Sequence, residues 1–368
     1  MEIFALHSEY LSSNQGRHER GVMNVRAVVK NGPGPGFDLV DLEAKPLGSR
    51  DVLVEIEAAA ICGTDLHIYD WNAWAAGAGL PESFIVGHEF SGRVVAVGDA
   101  VRMVKPGDKV SAESHVACGQ CYQCLNGLQH ICGNLKVIGV HTDGCWAEYA
   151  VVPECCARPI PEEIDFHTAA IMEPLGTSIR CAQLAEVSGN TVVVTGCGPI
   201  GLGAIAAAQA FGAANIVATD IVPSRMELGQ QMGATHVLHG VQDDVGVLVR
   251  ELTQGVGADA VIECSGNIPA LQAAFKYLRK GGRVVLVGLP SQPLTLDVGP
   301  DLAFKEATVR GVHGRRMYET WQTMESLLVK GLIDPKPIIT HVLPMAEYED
   351  GIHLCKSGEG CKVLLLPK

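Results

Sequence analysis

Apolar runs typical of β-strands alternate with helical segments through the second half of the chain. The strand-like runs are TVVVTG, NIVATD, DAVIEC and GGRVVLVGL, at residues 191–196, 215–220, 259–264 and 281–289. Segments rich in Ala, Leu, Met and Gln lie between them, at 199–214, 223–233 and 268–280. Strands that alternate with helices at this spacing predict a parallel sheet with helices on both faces.

The first of these strands leads into a glycine-rich turn. Gly196, Gly198 and Gly201 lie in GCGPIG, which directly follows TVVVT and opens an Ala-rich segment. In this strand–turn–helix context, G-x-G-x-x-G lets the backbone approach a pyrophosphate at the N-terminus of the helix. We therefore expect a doubly wound, Rossmann-type domain that binds a dinucleotide through this loop, including Ile200.

The residues after the second strand bear on which dinucleotide is bound. Asp220 ends NIVATD, 24 residues after Gly196, where a carboxylate can accept hydrogen bonds from ribose hydroxyls and would repel a 2′-phosphate. Arg225 favours NADP instead, because a nearby cation can accommodate the 2′-phosphate. The alternative role for Asp220 is to cap the following helix. We expect NAD rather than NADP.

The first half of the chain has a different character. In DVLVEIEAAA, at 51–60, apolar and acidic side chains alternate as in a half-buried strand. Similar runs occur at 94–97, 109–111 and 148–152, separated by turns such as Pro106-Gly107-Asp108. This pattern predicts a mostly β domain. The expected organisation is an extension at 1–23, a β domain at 24–177, a dinucleotide domain at 178–314, and a segment at 315–368 that returns to the β domain.

Length and composition narrow the class of protein. A chain of 368 residues exceeds the size at which one hydrophobic core usually stops growing. The net charge of −13 opposes binding to nucleic acid or to anionic membrane, and we expect neither partner. No run of about 18 apolar residues predicts a membrane span, and the first residues lack the apolar core of a secretory signal. Thirteen cysteines in such a chain indicate a reducing compartment, hence the cytoplasm.

Four of those cysteines follow one another closely in CGQCYQCLNGLQHIC. Cys118, Cys121, Cys124 and Cys132 have the spacing C-x2-C-x2-C-x7-C. Thiolates two residues apart can converge on one tetrahedral zinc ion in a closed structural site. The alternatives are unrelated buried thiols or an iron–sulfur cluster, whose common bacterial spacing ends in C-x3-C-P. The run predicts a structural zinc.

A second set of metal-ligand residues is spread over the first half. Cys62 lies in ICGTDLH, His88 and Glu89 in VGHEFSG, and Glu173 in IMEPLG. Each is competent to bind zinc, and a catalytic zinc keeps one position open for water or substrate. Taken singly, a Cys or His in such a place is more often part of the core. Each segment, however, contains a Gly or Pro at which the backbone turns.

These motifs resemble the medium-chain dehydrogenase/reductase superfamily from about residue 24 to the C-terminus. Its zinc signature is similar to Gly87-His88-Glu89-x-x-Gly92-x5-Gly98-x-x-Val101, and its four-cysteine lobe lies in the same place. The resemblance implies a GroES-like catalytic domain followed by a Rossmann domain. It implies that Cys62, His88 and Glu173 hold a catalytic zinc, with Glu89 as a fourth ligand or an exchangeable neighbour.

The same resemblance implies further cofactor contacts and an assembly. Val287, Gly288 and Leu289, together with Val312 and His313, match the positions that contact the nicotinamide side of NAD. Relatives are commonly dimers or tetramers, so a homodimer or homotetramer is expected.

Two residues after Cys62 could carry the proton that an alcohol releases on oxidation. Thr64 and His67 lie two and five residues past Cys62, and a hydroxyl and an imidazole in series can relay a proton to solvent. The resemblance implies this role for the pair. The alternative is that both side chains stabilise a loop.

Three segments resemble the threonine dehydrogenases within the superfamily, namely 67–75, 111–115 and 314–321. The expected reaction is oxidation of L-threonine at C3 to 2-amino-3-oxobutanoate. Asn72 departs from the usual pattern, which has an acid there, and so does the run Thr177-Ser178-Ile179-Arg180. A cation at Arg180 could pair with a substrate carboxylate or neutralise Glu173. The alternatives are a polyol or vicinal-diol dehydrogenase and a non-catalytic relative that kept the fold.

Overall fold

The computed structural model describes residues 24–368, so the predicted extension at 1–23 lies outside the described residues. The chain divides into two compact units. One comprises the residues up to Glu173 together with Ile339–Lys368, and the other is Pro174–Ile338. The domain boundaries expected at 177/178 and 314/315 differ from this division and stay predictions.

The strands, in chain order, are β1 Asn24–Asn31, β2 Asp38–Glu43, β3 Asp51–Ala60, β4 Ser83–Ile85, β5 Glu89–Val97, β6 Lys109–Ala112, β7 His115–Val116, β8 Lys136–Val137, β9 Tyr149–Pro153, β10 Ala157–Pro159, β11 Thr191–Thr195, β12 Asn215–Asp220, β13 His236–His239, β14 Ala258–Glu263, β15 Leu278–Leu286, β16 Thr308–Gly311, β17 Ile339–Pro344 and β18 Lys362–Leu366.

The α-helices are α1 Gly63–Asp70, α2 Ala73–Gly77, α3 Tyr122–Leu125, α4 Phe166–Ala170, α5 Met172–Ala185, α6 Pro199–Ala210, α7 Pro223–Gln231, α8 Val245–Leu252, α9 Ile268–Tyr277, α10 Val298–Asp301, α11 Glu319–Val329 and α12 Tyr348–Ser357. Short 3-10 turns occupy Gln129–Ile131, Glu154–Cys156, Ala303–Lys305, Lys336–Ile338 and Met345–Glu347.

The first unit is built on a seven-stranded sheet. Its strand order is β10-β6-β5-β3-β18-β17, and β9 pairs with β3 off this path. Strands β3 and β5 are antiparallel, with Ala60 opposite Glu89, and β18 joins the other edge of β3 with Leu364 opposite Ala60. The two strands formed last in the chain therefore complete the sheet that the first half begins.

Two smaller sheets belong to the same unit. One is three-stranded, in the order β2-β1-β4, and the other pairs β7 with β8. The main apolar core gathers side chains from several strands around the fully buried Trp146, including Val54, Ile56 and Phe90. Burying such side chains contributes about 1.5–3 kcal/mol each, which is why this part of the chain forms a compact layer.

The second unit contains a six-stranded sheet in which every pair of neighbours is parallel. Its order is β13-β12-β11-β14-β15-β16. Numbered within the unit, this is 3-2-1-4-5-6, the order of a doubly wound dinucleotide-binding fold. The central strand TVVVT is buried at all five positions, as expected for a parallel strand covered on both faces.

Most predicted elements agree with the structure. The strand at 51–60 is confirmed, and so are those at 215–220 and, to within three residues at either end, the other strands of the second half. The helices expected at 199–214, 223–233 and 268–280 form but end two to four residues early. Within residues 24–368, no helix has the length and apolar character needed to cross a membrane.

Candidate functional site

Three of the four predicted catalytic-metal residues lie together in the first unit. Cys62 follows β3 and caps α1, whereas His88 immediately precedes β5 and Glu89 opens it. Because β3 and β5 are antiparallel neighbours, the end of one lies beside the start of the other. One ligand atom from each of Cys62, His88 and Glu89 lies within 4.8 Å of the others. The antiparallel pairing of β3 and β5 thus brings a thiol, an imidazole and a carboxylate to one point.

Gly87 allows this close approach. Its φ is +88°, and a Cβ built there would lie 2.0 Å from Cδ1 of the buried Trp146 ring. Both facts exclude an ordinary side chain. The indole therefore packs directly against the backbone that presents His88.

Glu173 is not part of this group of three. Its carboxylate is nearly buried, and its Oε1 accepts a hydrogen bond of 2.5 Å from the Ser114 hydroxyl. Its negative charge is close enough to act on the pKa of His88. Ser114 therefore holds Glu173 near the group, and its role as a ligand stays a prediction.

Lys362, which no sequence motif indicated, contacts Glu89. Its ammonium donates to both carboxylate oxygens, at 2.8 and 2.6 Å, and to the Ile61 carbonyl at 3.0 Å. Burial would lower the pKa of Lys362, but the charges of Glu89 and Cys62 outweigh it and raise that pKa. Lys362 thus neutralises the Glu89 carboxylate, and the role of Glu89 as a fourth ligand or an exchangeable neighbour stays a prediction. The only signal in the sequence is a Lys that opens the apolar run KVLLL.

Asp65 was also missed, and it supports the other two members of the group. Its Oδ2 accepts the Cys62 backbone N–H at 2.8 Å, and its Oδ1 lies 3.7 Å from Nδ1 of His88. A carboxylate beside the second nitrogen of a ligating His fixes the ring and raises its basicity. At 3.7 Å the two atoms are not hydrogen-bonded, and neither has another hydrogen-bond partner among residues 24–368.

The electrostatics of this group favour a cation. Burial would lower the pKa of His88, yet the negative charges of Cys62 and Asp65 raise it to about 10. A thiolate and several carboxylates in a buried place need positive charge, and a divalent metal supplies it. The donors Cys62, His88 and a carboxylate are those that zinc accepts. The residues therefore fit a catalytic zinc.

The four cysteines of the predicted structural site also converge. One sulfur from each lies within 4.8 Å of the others, and Cys121 Sγ is 3.5 Å from Cys124 Sγ and 3.6 Å from Cys132 Sγ. Backbone N–H groups of Gln120 and Cys121 lower the pKa of Cys118 to about 6, which favours the thiolate. The arrangement fits one tetrahedral zinc with no open position.

Thr64 and His67 both lie on α1. Thr64 Oγ1 is 3.8 Å from Cys62 Sγ, on the first turn of the helix. His67 is exposed one turn later, and its Nδ1 is 2.7 Å from the amide nitrogen of Asn72. The hydroxyl thus lies beside the metal group and the imidazole lies at the surface of the unit.

The glycine loop of the second unit has the tight turn that its sequence predicts. Gly196 has φ +86°, and a Cβ on Gly201 would lie 1.8 Å from the Gly196 carbonyl oxygen. A Cβ on Gly198, by contrast, would meet no atom within 4 Å. Gly198 caps α6, whose first residue is Pro199. The loop is closed on one side and open at Gly198, where a phosphate can approach the helix N-terminus.

Asp220 lies at the end of β12, beside this loop. Its Oδ2 accepts the Cys197 N–H at 2.7 Å, and its Oδ1 accepts those of Ile221 and Val222. The carboxylate thus fastens the glycine loop as well as the turn into α7. Nε of Arg225 is buried, with no hydrogen-bond partner in the described part of the chain.

The predicted nicotinamide-side residues follow neighbouring strands. The N–H groups of Val287 and Gly288 donate to the Glu263 carbonyl at 3.0 and 2.9 Å, and that of Val312 donates to Leu286 at 2.8 Å. Leu289 is 87% exposed, and His313 is exposed as well. The carboxyl ends of β14, β15 and β16 thus present these residues along one edge of the sheet, where such folds bind ligands.

A cavity of about 520 Å³ opens near the same edge of the sheet. Its lining includes the strand ends Thr195 and Thr219, the loop residue Asp243, and the cations Arg250 and Lys276. The lining also includes residues of α8 and α9, among them Val245 and Ala273. The strand order itself reverses between β11 and β14, and such a switch point is the usual place for a nucleotide.

Comparisons with known proteins agree with this geometry. A family model described as an alcohol dehydrogenase GroES-like domain matches residues 48–162, and one described as a zinc-binding dehydrogenase matches residues 199–330. The L-threonine 3-dehydrogenase of Bacillus licheniformis is 43% identical over 94% of this chain and 99% of its own. That of Bacillus subtilis strain 168 is 40% identical over 93% of this chain and 99% of its own.

Solved structures show the same architecture. A 2R,3R-butanediol dehydrogenase from Bacillus subtilis has a TM-score of 0.84 at 26% identity, covering 94% of this chain and 100% of that one. An alcohol dehydrogenase from Thermus sp. ATN1 has a TM-score of 0.83 at 32% identity, covering 93% and 99%. The predicted GroES-like and Rossmann domains are confirmed. With two convergent metal-ligand groups, a dinucleotide loop and relatives alike over nearly their whole length, the chain belongs to the zinc-dependent medium-chain dehydrogenases.

Proposed function

We propose that this enzyme oxidises the secondary alcohol of L-threonine at C3 to 2-amino-3-oxobutanoate, with NAD as the hydride acceptor. The observation that carries the proposal is the convergence of Cys62, His88 and Glu89. It occurs in a chain that is similar in sequence to L-threonine 3-dehydrogenases over nearly its whole length. The balance is one hydride to NAD⁺ and one proton to water for each alcohol oxidised.

Cys62 and His88 would hold the catalytic zinc, together with Glu173 or, in exchange, Glu89. Zinc held there would supply a Lewis acid for the alcohol oxygen, and NAD would supply the hydride acceptor. Asp65 fixes the Cys62 backbone through a hydrogen bond and places a negative charge 3.7 Å from Nδ1 of His88. Lys362 holds the Glu89 carboxylate, and Ser114 holds the Glu173 carboxylate.

Thr64 and His67 would lead the alcohol proton away. The Thr64 hydroxyl lies beside the Cys62 sulfur, within reach of a substrate bound at the metal group. His67 is exposed, so a proton that reaches its ring can pass to water. The positions of the two residues support this role, because Thr64 lies beside the metal group and His67 lies at the solvent-exposed side of the same helix.

The Gly196–Gly201 loop would bind the pyrophosphate of NAD, and Asp220 at the end of β12 would lie beside its adenosine ribose. Asp220 favours NAD because it would repel a 2′-phosphate. Arg225, whose Nε has no partner within residues 24–368, is the feature that favours NADP. We propose NAD, and a comparison of the two cofactors under identical conditions decides the point.

The four-cysteine lobe would hold the second, structural zinc. The resemblance further supports a homodimer or homotetramer. All thirteen cysteines are thiols, which supports a reducing compartment such as the cytoplasm.

A vicinal diol or polyol is the second candidate substrate. The butanediol dehydrogenase of Bacillus subtilis has the same architecture over 94% of this chain. Arg180 favours L-threonine over a diol or polyol, because its guanidinium can pair with a substrate carboxylate, which diols lack. A non-catalytic role would leave the convergence of Cys62, His88 and Glu89 without a purpose.

The test is NADH formation by zinc-loaded protein with L-threonine, 2,3-butanediol and sorbitol as separate substrates. The proposal expects the highest kcat/KM with L-threonine. Oxidation of a diol but not of threonine would overturn the substrate and leave zinc and NAD in place. Absence of turnover with all three, despite about two bound zinc ions per chain, would overturn the proposed reaction.

A further inference from the structure

We propose that Asn72 is a positioning residue that holds His67 in one tautomer, with its proton on Nε2 and a lone pair on Nδ1. The proposal concerns the position at which this chain departs from the acid that its relatives usually have. It rests on the proposed function only where it concerns proton release, and the tautomer itself can be measured without turnover.

The orientation of the Asn72 amide is fixed by the helix that it caps. Its Oδ1 accepts the backbone N–H groups of Trp74 and Ala75, both at 3.1 Å, at the N-terminus of α2. An amide nitrogen has no lone pair for such a bond, so the oxygen must be on this side. The NH2 group therefore faces the other way.

That NH2 group faces His67. The distance from Asn72 Nδ2 to His67 Nδ1 is 2.7 Å, a hydrogen-bond contact between two nitrogens. Since the amide nitrogen can only donate, Nδ1 must accept, and a neutral imidazole then carries its hydrogen on Nε2. The Asn72 backbone N–H also donates to the His67 carbonyl at 3.3 Å, and the Trp74 ring flanks the imidazole at 5.9 Å between centroids. Both contacts keep the two side chains together.

The tautomer determines what His67 can do for a departing proton. A ring with Nε2–H can donate at Nε2, but it can accept a proton only at Nδ1, which the Asn72 amide covers, so the relay through His67 is slow while this contact is made. An aspartate at the same position would only accept. It would draw the ring proton to Nδ1 and leave Nε2 with the lone pair of a base. In serine proteases, Asn in place of the Asp beside the catalytic His keeps the geometry and slows the reaction through the wrong tautomer.

The first experiment is NMR of the holoenzyme, labelled with 15N at histidine. The His67 signals are assigned by their loss in His67→Gln. We expect a protonated Nε2 and an unprotonated Nδ1 in the natural protein, and the reverse in Asn72→Asp. Asn72→Ser keeps a capping hydroxyl and removes the NH2 donor, so it should weaken the preference without reversing it. A protonated Nδ1 in the natural protein, or no change in Asn72→Asp, would overturn the proposal.

The second experiment is kinetic. Asn72→Asp should raise kcat for alcohol oxidation by about tenfold, which is less than the roughly 100-fold or more that a positioned base contributes directly, because Asn72 acts only through His67. The gain should vanish in the double variant Asn72→Asp/His67→Gln, which must match His67→Gln alone. A gain that survives without His67 would show that the added charge acts directly and would overturn the positioning role. If no substrate is oxidised, the proposed function fails, and the NMR result still decides the tautomer.

Discussion

The ammonium of Lys362 donates hydrogen bonds to both carboxylate oxygens of Glu89, at 2.8 and 2.6 Å, although 273 residues separate the two in the chain. Both side chains are buried. Neither charge could stay there alone, because burying an unpaired ion costs far more than burying a hydrogen-bonded pair. The pair therefore fastens the start of β18 to the start of β5, next to the proposed metal.

Replacing Lys362 with Met should destabilise the first unit strongly. The substitution leaves the Glu89 carboxylate buried and unpaired, which typically costs about 3–5 kcal/mol. Urea unfolding followed by far-UV circular dichroism measures the loss. The double variant Glu89→Gln/Lys362→Met has no isolated charge and should recover most of the stability. A single variant as stable as the natural protein would contradict the ion pair.

Two alanine substitutions in the glycine loop should behave differently. At Gly201 the new methyl would lie 1.8 Å from the Gly196 carbonyl, so Gly201→Ala should lose about 1–3 kcal/mol of stability and NAD binding with it. Gly198→Ala meets no atom within 4 Å and should keep its melting temperature. Its methyl nevertheless occupies the side where a phosphate must approach, so NAD affinity should fall by about tenfold. Calorimetry of unfolding and of NAD binding separates the two; equal melting temperatures would refute the distinction.

Zinc content should distinguish the two cysteine-containing sites. The natural protein should bind about two zinc ions per chain, and Cys62→Ala and Cys124→Ala should each bind about one. Cys62→Ala should abolish alcohol oxidation and remain folded. Cys124→Ala should mainly lower the melting temperature. Plasma mass spectrometry measures the metal. Cys181→Ala, outside both groups, is the matched control and should retain both ions. Two ions in Cys124→Ala would rule out the structural site.

Tyr348 should give the first unit an alkaline limit of stability. Its hydroxyl donates to the Phe37 carbonyl at 2.8 Å, and burial raises the pKa of Tyr348 to about 12 from an ordinary 10. The unfolded chain loses this proton first, so the stabilisation is complete below about pH 10 and disappears as the pH rises to about 12. Tyr348→Phe should be about 1 kcal/mol less stable near neutral pH. It should also lose less stability across the alkaline range.

The check is urea unfolding at a series of pH values. Tyr122→Phe, whose parent side chain is 75% exposed, is the control and should leave the curve unchanged. Identical alkaline slopes for Tyr348→Phe and the natural protein would show that other groups set the limit.

The sequence predicted those features that repeat locally. The strands and helices of the second unit have clear periods, and the glycine loop lies between one strand and one helix. The four cysteines of 118–132 are close in the chain, so their spacing alone indicates one site. The strand at 51–60 was predicted from alternation. Its burial on both faces, including Leu53 and Ala59, was not, because that depends on sheets and helices formed elsewhere.

What the sequence could not predict depends on distant pairing. In the sequence, Asp65 is only an acid within a helix; its position beside His88 depends on the pairing of β3 with β5. Lys362 is only a cation at the start of an apolar strand, and its contact with Glu89 depends on the pairing of β18 with β3. The sheet of β1, β2 and β4 also went unpredicted as a unit. Asn72 was seen only as a departure from a pattern, because neither which way its amide faces nor its partner can be read from a single residue.

The interrupted course of the first unit has a consequence for synthesis. A ribosome must complete the whole of Pro174–Ile338 before it makes β17 and β18. Until then the end of β3 lacks its partner strand β18, and the Glu89 carboxylate lacks the Lys362 ammonium. The Pro174–Ile338 unit is continuous and can mature during translation. A premature stop codon, or a protease, that removes Lys362 and the residues after it would therefore leave the Pro174–Ile338 unit intact. It would disrupt the metal-ligand group of the first unit, although Cys62, His88 and Glu89 are far from the C-terminus in sequence.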